Sequence, residues 1–208
     1  MYLSCMPHLH RASSLILASA SPRRRDLLQQ AGVVFMVILS NTSEEARPGE
    51  APEAYALRVA GEKARDVAMR YPGKWVLAAD TIVVINKEIL GKPQDTADGY
   101  RMLRSLSGRS HQVMTAFVVI DPNGQEYAHQ VVMSKVTFRS LSDDQIQDYL
   151  ATGEPFDKAG AYAVQGLGAS LIEHVEGSYT NIVGLPIDEV LAVLHAAGLY
   201  HPKDTQSS

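Results

Sequence analysis

The sequence predicts a mixed α/β protein built on one sheet, and three observations carry that expectation. Short apolar runs, Leu15 to Ser19 and Trp75 to Ala79, alternate with stretches of helical spacing, the pattern of strands joined by crossover helices. Two longer strand-like segments, Gln112 to Ile120 and Glu126 to Phe138, flank Asp121-Pro122-Asn123-Gly124, a turn sequence that makes them a hairpin. The chain has 208 residues, 46% hydrophobic and 20% charged, which favours one large domain over two small ones and argues against disorder.

In chain order, residues 1–13 read as a leader, 14–198 as a single domain and 199–208 as a C-terminal tail that frays. Met6 serves as a start as well as Met1 does. Leu15 to Ala20 has the small-residue ending of a signal core, but arginines follow it instead of preceding it, so it is read as a buried strand. Ser21-Pro22 opens a helix as N-cap and first helical residue, Leu27 and Leu28 face inward, and Gly32 closes it. Val33 to Leu39 is read as a second strand, followed by a polar loop from Asn41 to Glu50. A long helix runs from Pro52 to Arg70, with Tyr55, Leu57, Val59, Ala60, Ala64 and Val67 inward, and Pro72-Gly73 ends it. The apolar strand from Trp75 resumes at Ile82 to Ile85 and turns at Asn86-Lys87; a helix from Thr96 to Leu106 stops at Gly108. In the second hairpin arm Val132, Val136 and Phe138 alternate with Met133, Lys135 and Thr137, a sheet with one wetter face. Ser142 and Gln145 have capping-box spacing before a helix ending near Gly153. Strands over Ala159 to Val164 and Ser170 to Val175 and a helix from Pro186 to Ala197 complete the expectation.

Composition excludes several function classes. Nineteen basic against 23 acidic residues give a net charge of −4, the wrong sign for binding nucleic acid by phosphate neutralisation. No apolar run approaches the roughly 18 residues that span a bilayer. The single cysteine, Cys5, excludes an internal disulfide framework and a Cys-rich zinc site. The seven histidines have no ligand spacing beyond His8 and His10, and no serine-hydrolase elbow occurs.

The chemistry concentrates elsewhere. Arg23, Arg24 and Arg25 begin a helix whose dipole is already positive there, an arrangement that favours a bound anion over a merely solvated basic helix start. With Ser19 and Ser21 they form strand, tight loop and helix N-terminus, a common phosphate cradle. Asp80, read as the end of the apolar strand, and Glu44, read as a second strand-end acid, would be expensive to bury without a task or a partner. Two carboxylates beside a phosphate cradle suit Mg²⁺. Lys63, Lys92 and Lys158, read in turn-like contexts, together with Arg23 and Arg24 can neutralise a triphosphate. Gln165-Gly166-Leu167-Gly168 reads by itself as a bulge or strand bend.

These residues occur in a particular order: Ser19-Ala20-Ser21-Pro22-Arg23-Arg24, Glu44, Glu62-Lys63-Ala64, Ala79-Asp80-Thr81, Gly91-Lys92-Pro93, Asp157 to Tyr162 and Gly184-Leu185-Pro186. The set resembles the Maf nucleotide pyrophosphatases over residues 14–198. The resemblance implies an ITP-pyrophosphatase-like fold, an elongated mixed sheet flanked by helices with a nucleotide-binding cleft. It implies hydrolysis of a nucleoside triphosphate to monophosphate and diphosphate by a cytoplasmic homodimer that uses Mg²⁺ or Mn²⁺. Asp80 would be the general base, Glu44 and Asp80 the metal ligands, and Ser19, Ser21, Arg23, Arg24, Lys63, Lys92 and Lys158 the phosphate-binding set. Arg23, Thr81 and Gln165 occupy the selectivity positions with the residues of the branch that acts on dTTP and UTP, in place of the Trp and Glu of the 7-methyl-GTP branch. Ser43 departs from the second acid that relatives commonly carry before Glu44, which bears on the metal shell more than on the reaction. The rival is a non-catalytic nucleotide-binding regulator of division or septation, which would keep the phosphate cradle without needing a base.

Overall fold

The computed structural model describes residues 14–201; the expected leader over 1–13, with Cys5, His8 and His10, and the tail over 202–208 lie outside the described residues. Among the described residues seven strands form one sheet in the order β2-β1-β3-β5-β6-β7, with β4 also paired to β3. They are β1 (Leu15–Leu17), β2 (Met36–Val37), β3 (Trp75–Ile85), β4 (Glu88–Leu90), β5 (Ser110–Ile120), β6 (Glu126–Phe138) and β7 (Ile172–Glu176). The helices are α1 (Pro22–Gln30), α2 (Pro52–Arg70), α3 (Thr96–Leu106), α4 (Asp143–Ala151), α5 (Tyr179–Val183) and α6 (Ile187–Ala196). Strands β1, β2 and β3 are mutually parallel where they pair, and the pairs β3–β4, β3–β5, β5–β6 and β6–β7 are antiparallel, so the sheet is mixed as expected.

The long central strand β3 sorts the core by its period of two. Val76, Ala78, Ile82 and Val84 face α2, which packs Tyr55, Val59, Ala60, Ala64 and Val67 against them. On the other face Leu77 and Ala79 pack with Leu28, Val190 and Leu194 of α1 and α6, while Val83 and Ile85 pack with Leu103, Leu106, Ile146 and Leu150 of α3 and α4. The sheet is therefore covered on both sides, and its central strands read as continuous apolar runs for that reason.

Local chemistry explains the element ends. Ser21, Asp95 and Ser142 cap α1, α3 and α4, and Ser142 with Gln145 makes a full capping box. The β3–β4 hairpin turns on Asn86 and Lys87, both at positive φ (50° and 68°), as a two-residue hairpin requires.

Five expectations are corrected. Asp80 does not end a strand: β3 continues through it to Ile85. Of the strand expected over Val33 to Leu39, only Met36 and Val37 pair, at the sheet edge, where Val34 and Leu39 are exposed. Ala159 to Val164 is not a strand, because Gly160 and Ala161 take positive φ (71° and 60°) inside the 3₁₀ turn Ala159–Ala161. Ser170 belongs to the 3₁₀ turn Gly166–Leu171, and pairing starts only at Ile172. Of the tail expected to fray over 199–208, Leu199 and Tyr200 are held in place, since Leu199 donates its N–H to the Leu194 carbonyl and both pack on the α1/α6 core; residues 202–208 lie outside the described residues.

Candidate functional site

One edge of β3 has a gap. β1 pairs with it only as far as Leu77 and β4 only from Val83, so Ala78 to Ile82 have no strand partner on that side. A cleft of about 480 Å³ opens at this gap. Because β3 alternates, Asp80 points toward α2 and Thr81 toward α1 and α5, and both line the cleft. Ser19, Ser21, Arg23, Arg24, Glu44, Lys63, Asp80, Thr81, Lys92, Lys158 and Gln165 all line it together. The topology thus brings every site residue expected from sequence to one place.

The wall below β1 is the Ser19–Arg24 segment. Ser19 Oγ accepts from the Ser21 N–H at 3.2 Å, and Ser21 caps α1. Arg24, expected to hold phosphate, is only 8% exposed and is pinned from three sides. Its Nε donates to the Gly184 carbonyl at 2.7 Å, Nη1 to Ser19 Oγ at 3.1 Å and Nη2 to Thr81 Oγ1 at 2.9 Å. Burial lowers its pKa, and the Asp80 charge works against that. Thr81 Oγ1 also bonds Thr115 Oγ1 at 2.8 Å, and Thr115 donates to the Asn181 carbonyl, so this chain fastens α5 and Gly184 to the sheet.

The α2 side carries the acids. Lys63, taken from sequence as turn-like, sits in the middle of α2 in line with Tyr55, Val59 and Val67, a spacing of four that buries it. Its Nζ bridges Glu44 Oε1 at 2.6 Å and Asp80 Oδ1 at 2.8 Å. Lys63 and Asp80 are 8% and 7% exposed, and their mutual pairing is what makes such burial tolerable. Burial would raise the Glu44 carboxyl, but the Lys63 hydrogen bond and the charges of Lys63, Lys92 and Arg24 hold it below the usual range. Glu44 stands on a loop, not at a strand end. That loop is tied to α2: Tyr55 donates its hydroxyl to the Glu44 carbonyl at 2.7 Å, and Arg58 holds Glu50 and the Glu45 carbonyl.

Glu44 and Asp80 meet at one ammonium, so two carboxylates converge on one point of the cleft. Among the described residues no cluster of three or more His, Cys, Asp or Glu could hold a metal. Such a pair fits a cation that takes one or two carboxylates and completes its shell with substrate phosphates.

On the opposite wall Lys158 donates to the Glu154 carbonyl at 2.7 Å and to Asp157 Oδ1, and Arg23 Nη1 reaches Asp157 Oδ2 at 3.3 Å. Asp157 therefore joins two of the expected phosphate-binding cations across the mouth. Gly160 donates its N–H to the Gly91 carbonyl at 3.0 Å, which ties the Lys158 turn to the strand end beside Lys92. Asp157 and Tyr55 were not singled out from sequence. Tyr55 carries only an apolar-face signal and Asp157 only its place beside Lys158; neither reveals that Tyr55 reaches back to the Glu44 loop or that Asp157 reaches Arg23, 134 positions away.

A model of the Maf-like protein family matches residues 14–197. A protein of Geobacter sulfurreducens named dTTP/UTP pyrophosphatase is 52% identical over 184 residues, covering 88% of this chain and 96% of the relative. A protein of the same name from Myxococcus xanthus is 50% identical over 188 residues, covering 90% and 94%. Among solved structures, the Staphylococcus aureus Ham1 protein is 16% identical with a TM-score of 0.45, covering 88% of this chain and 98% of that one.

Proposed function

The chain belongs to the Maf family, and on that premise we propose that it hydrolyses dTTP and UTP to the nucleoside monophosphate and diphosphate. The observation that carries this reading is the gap beside β3, where a buried acid, a basic phosphate cradle and Gln165 share one cleft. The reaction needs water to attack the α-phosphorus, one new P–O bond to form, and the bridging α–β P–O bond to break. Asp80 Oδ1 is held by Lys63, which leaves Oδ2 to take the proton from that water. Arg23, Lys92 and Lys158, with free N–H groups of the Ser19–Arg24 segment, bind the phosphates and offset charge on the departing diphosphate. Arg24 acts from behind, by fixing Ser19, Thr81 and Gly184 in the wall. Mg²⁺ or Mn²⁺ held by Glu44 and Asp80 would supply further neutralisation of phosphate charge.

Gln165 offers both a donor and an acceptor, which matches the N3–H and the flanking carbonyls of thymine or uracil. Arg23 lies on the same cleft, and Thr81, with its hydroxyl already engaged, shapes the wall. A non-catalytic regulator would have no use for a buried acid held by a lysine at the cleft. The reading includes a cytoplasmic homodimer; light scattering on the pure protein tests the oligomer. Among the described residues no helix is long and apolar enough to cross a membrane.

The test of function is product analysis with the purified protein. dTTP and UTP should yield dTMP and UMP with one equivalent of diphosphate, activity should vanish in excess chelator, and Mg²⁺ or Mn²⁺ should restore it. Absence of diphosphate from both nucleotides would overturn the reading, and full activity in chelator would remove the metal from it.

A further inference from the structure

The segment that carries Gln165 is held from outside the cleft by a carboxylate that the reaction itself does not use. Glu154 opens the 3₁₀ turn Glu154–Asp157. Its Oε2 accepts the Leu167 N–H at 3.0 Å, and its Oε1 accepts both the Gly168 N–H at 3.0 Å and the Tyr149 hydroxyl at 2.9 Å. Tyr149 Oη in turn accepts the Ala163 N–H at 3.2 Å. Backbone groups on both sides of Gln165 are therefore fastened to one Glu–Tyr pair.

The fit is close as well as polar. A Cβ at Gly166 would lie 2.6 Å from Glu154 Oε2, and one at Gly168 would lie 2.5 Å from the Tyr149 hydroxyl. Only a chain without side chains at 166 and 168 lets the carboxylate and the phenol reach the backbone here. Gly166 also takes a φ of 72°, which permits the tight entry after Gln165. The Gln-Gly-Leu-Gly stretch, read from sequence as a strand bend, is a seat for Glu154. Burial alone would raise the Glu154 carboxyl, but the Gly168 and Leu167 N–H bonds and the Tyr149 bond hold it below its ordinary value, so it sits there ionised. Burial raises the Tyr149 phenol well above its ordinary value, so it keeps the proton it donates.

We propose that Glu154, braced by Tyr149, is a positioning residue for base recognition: it fixes the 163–168 segment so that Gln165 meets the pyrimidine edge. This rests on the nucleotide reading above. Replacing the carboxylate by an amide sets an NH₂ group against a backbone N–H, two donors face to face, and frees one side of the segment.

The test compares wild type, Glu154→Gln and Tyr149→Phe, using dTTP as substrate, with GTP and inorganic tripolyphosphate as competitive inhibitors. In Glu154→Gln the KM for dTTP should rise about tenfold with kcat within about threefold, the loss expected when a charged hydrogen bond that orients a binding group is removed. The ratio of the GTP inhibition constant to the dTTP KM should fall by a similar factor, while the tripolyphosphate constant stays put, because that ligand has no base. Tyr149→Phe should shift the ratio the same way by a smaller factor. Equal weakening of dTTP, GTP and tripolyphosphate would overturn the proposal, since it would mark Glu154 as general support. If Glu154→Gln shows no cooperative melt, Tyr149→Phe decides, and an unchanged ratio there overturns it. Failure of the wild-type protein to hydrolyse dTTP would instead overturn the function on which the proposal stands.

Discussion

Asp80 and Lys63 form a buried ion pair with Glu44 as a third member, and this sets what each substitution can report. In Asp80→Asn the amide oxygen still accepts from Lys63, and Glu44 still balances the ammonium. The fold should therefore survive, with a melt in the wild-type range, while the proton acceptor is gone. Turnover of dTTP should fall by 10² to 10⁴-fold, the usual contribution of a positioned base. A kcat near the wild-type value would remove Asp80 from that role. A second residue-scale effect lies far from the acid. His111 is buried, its Nε2 is 2.7 Å from the Tyr162 hydroxyl, and Phe138 and Tyr162 meet its ring edge-on. Burial lowers its pKa from 6.5 to about 4, so the folded protein binds this proton less readily than the unfolded chain. Its contribution to stability is complete above pH 6.5 and is lost as pH falls toward 4, roughly 2 kcal/mol between pH 7.5 and 5 for a shift of that size. Urea midpoints at those two pH values should show the loss in wild type and a shallower one in His111→Phe. Parallel pH slopes would mean that this histidine is not the titrating group.

At the scale of elements, the 3₁₀ turns between α4 and β7 build one wall of the cleft. Gly160 has a φ of 71°, and a Cβ there would meet three side-chain carbons of Val83 at 3.0 Å. Gly160→Ala must therefore strain the backbone and push on a buried strand residue at once, a cost on the order of 1–3 kcal/mol. The displaced turn carries Lys158, so the KM for dTTP should rise together with a lowered melting temperature. A variant with wild-type melting and KM would show that the turn absorbs the methyl group freely. The same turn shows where sequence reading stops. Its Tyr and Val residues suit a strand, but the positive φ at Gly160 and Ala161 belongs to the packed turn, whose Gly160 N–H is held by the Gly91 carbonyl, and no local pattern announces it. The ends of α2 were legible because Pro52 can start a helix and Pro72-Gly73 must stop one. The five-residue α5 was not, since its one local signal, the Ser178 cap, precedes too few residues for any periodicity. Asp80 reads as a strand end because a charged residue interrupts an apolar run; the interruption lies in the neighbours of β3 on one side, where neither β1 nor β4 reaches that stretch, while β5 pairs with all of it on the other. Likewise the basic and acidic site residues were legible as types in order. That Asp157 lies between Arg23 and Lys158 was not, because the partners are 134 positions apart.

On the scale of the whole molecule, the cleft is lined by segments far apart in the chain, and residues of two of the apolar cores reach its surface. Its walls come from the segment after β1 and the start of α1, from α2 and the Glu44 loop, and from β3, β4, the 3₁₀ turns and α5. These segments already pack on one another through the sheet and its cores, and a ligand that touches all of them adds further ties between them, so it should stabilise the fold as one unit. Binding to the native state alone adds RT ln(1 + [L]/Kd), about 2.7 kcal/mol at a ligand concentration of 100 Kd. For a chain of this size that corresponds to a rise in Tm of roughly 5–10 °C. A dTTP analogue with a methylene between the α and β phosphorus atoms binds without being cleaved and is the ligand to use. Its effect should exceed that of inorganic tripolyphosphate, because only the analogue engages Gln165, and both should shrink with added salt, since phosphate contacts are electrostatic. The melt should remain a single transition in each case. A saturating analogue that leaves Tm unchanged, or that splits the melt into two steps, would mean that the ligand does not hold the segments around the cleft together.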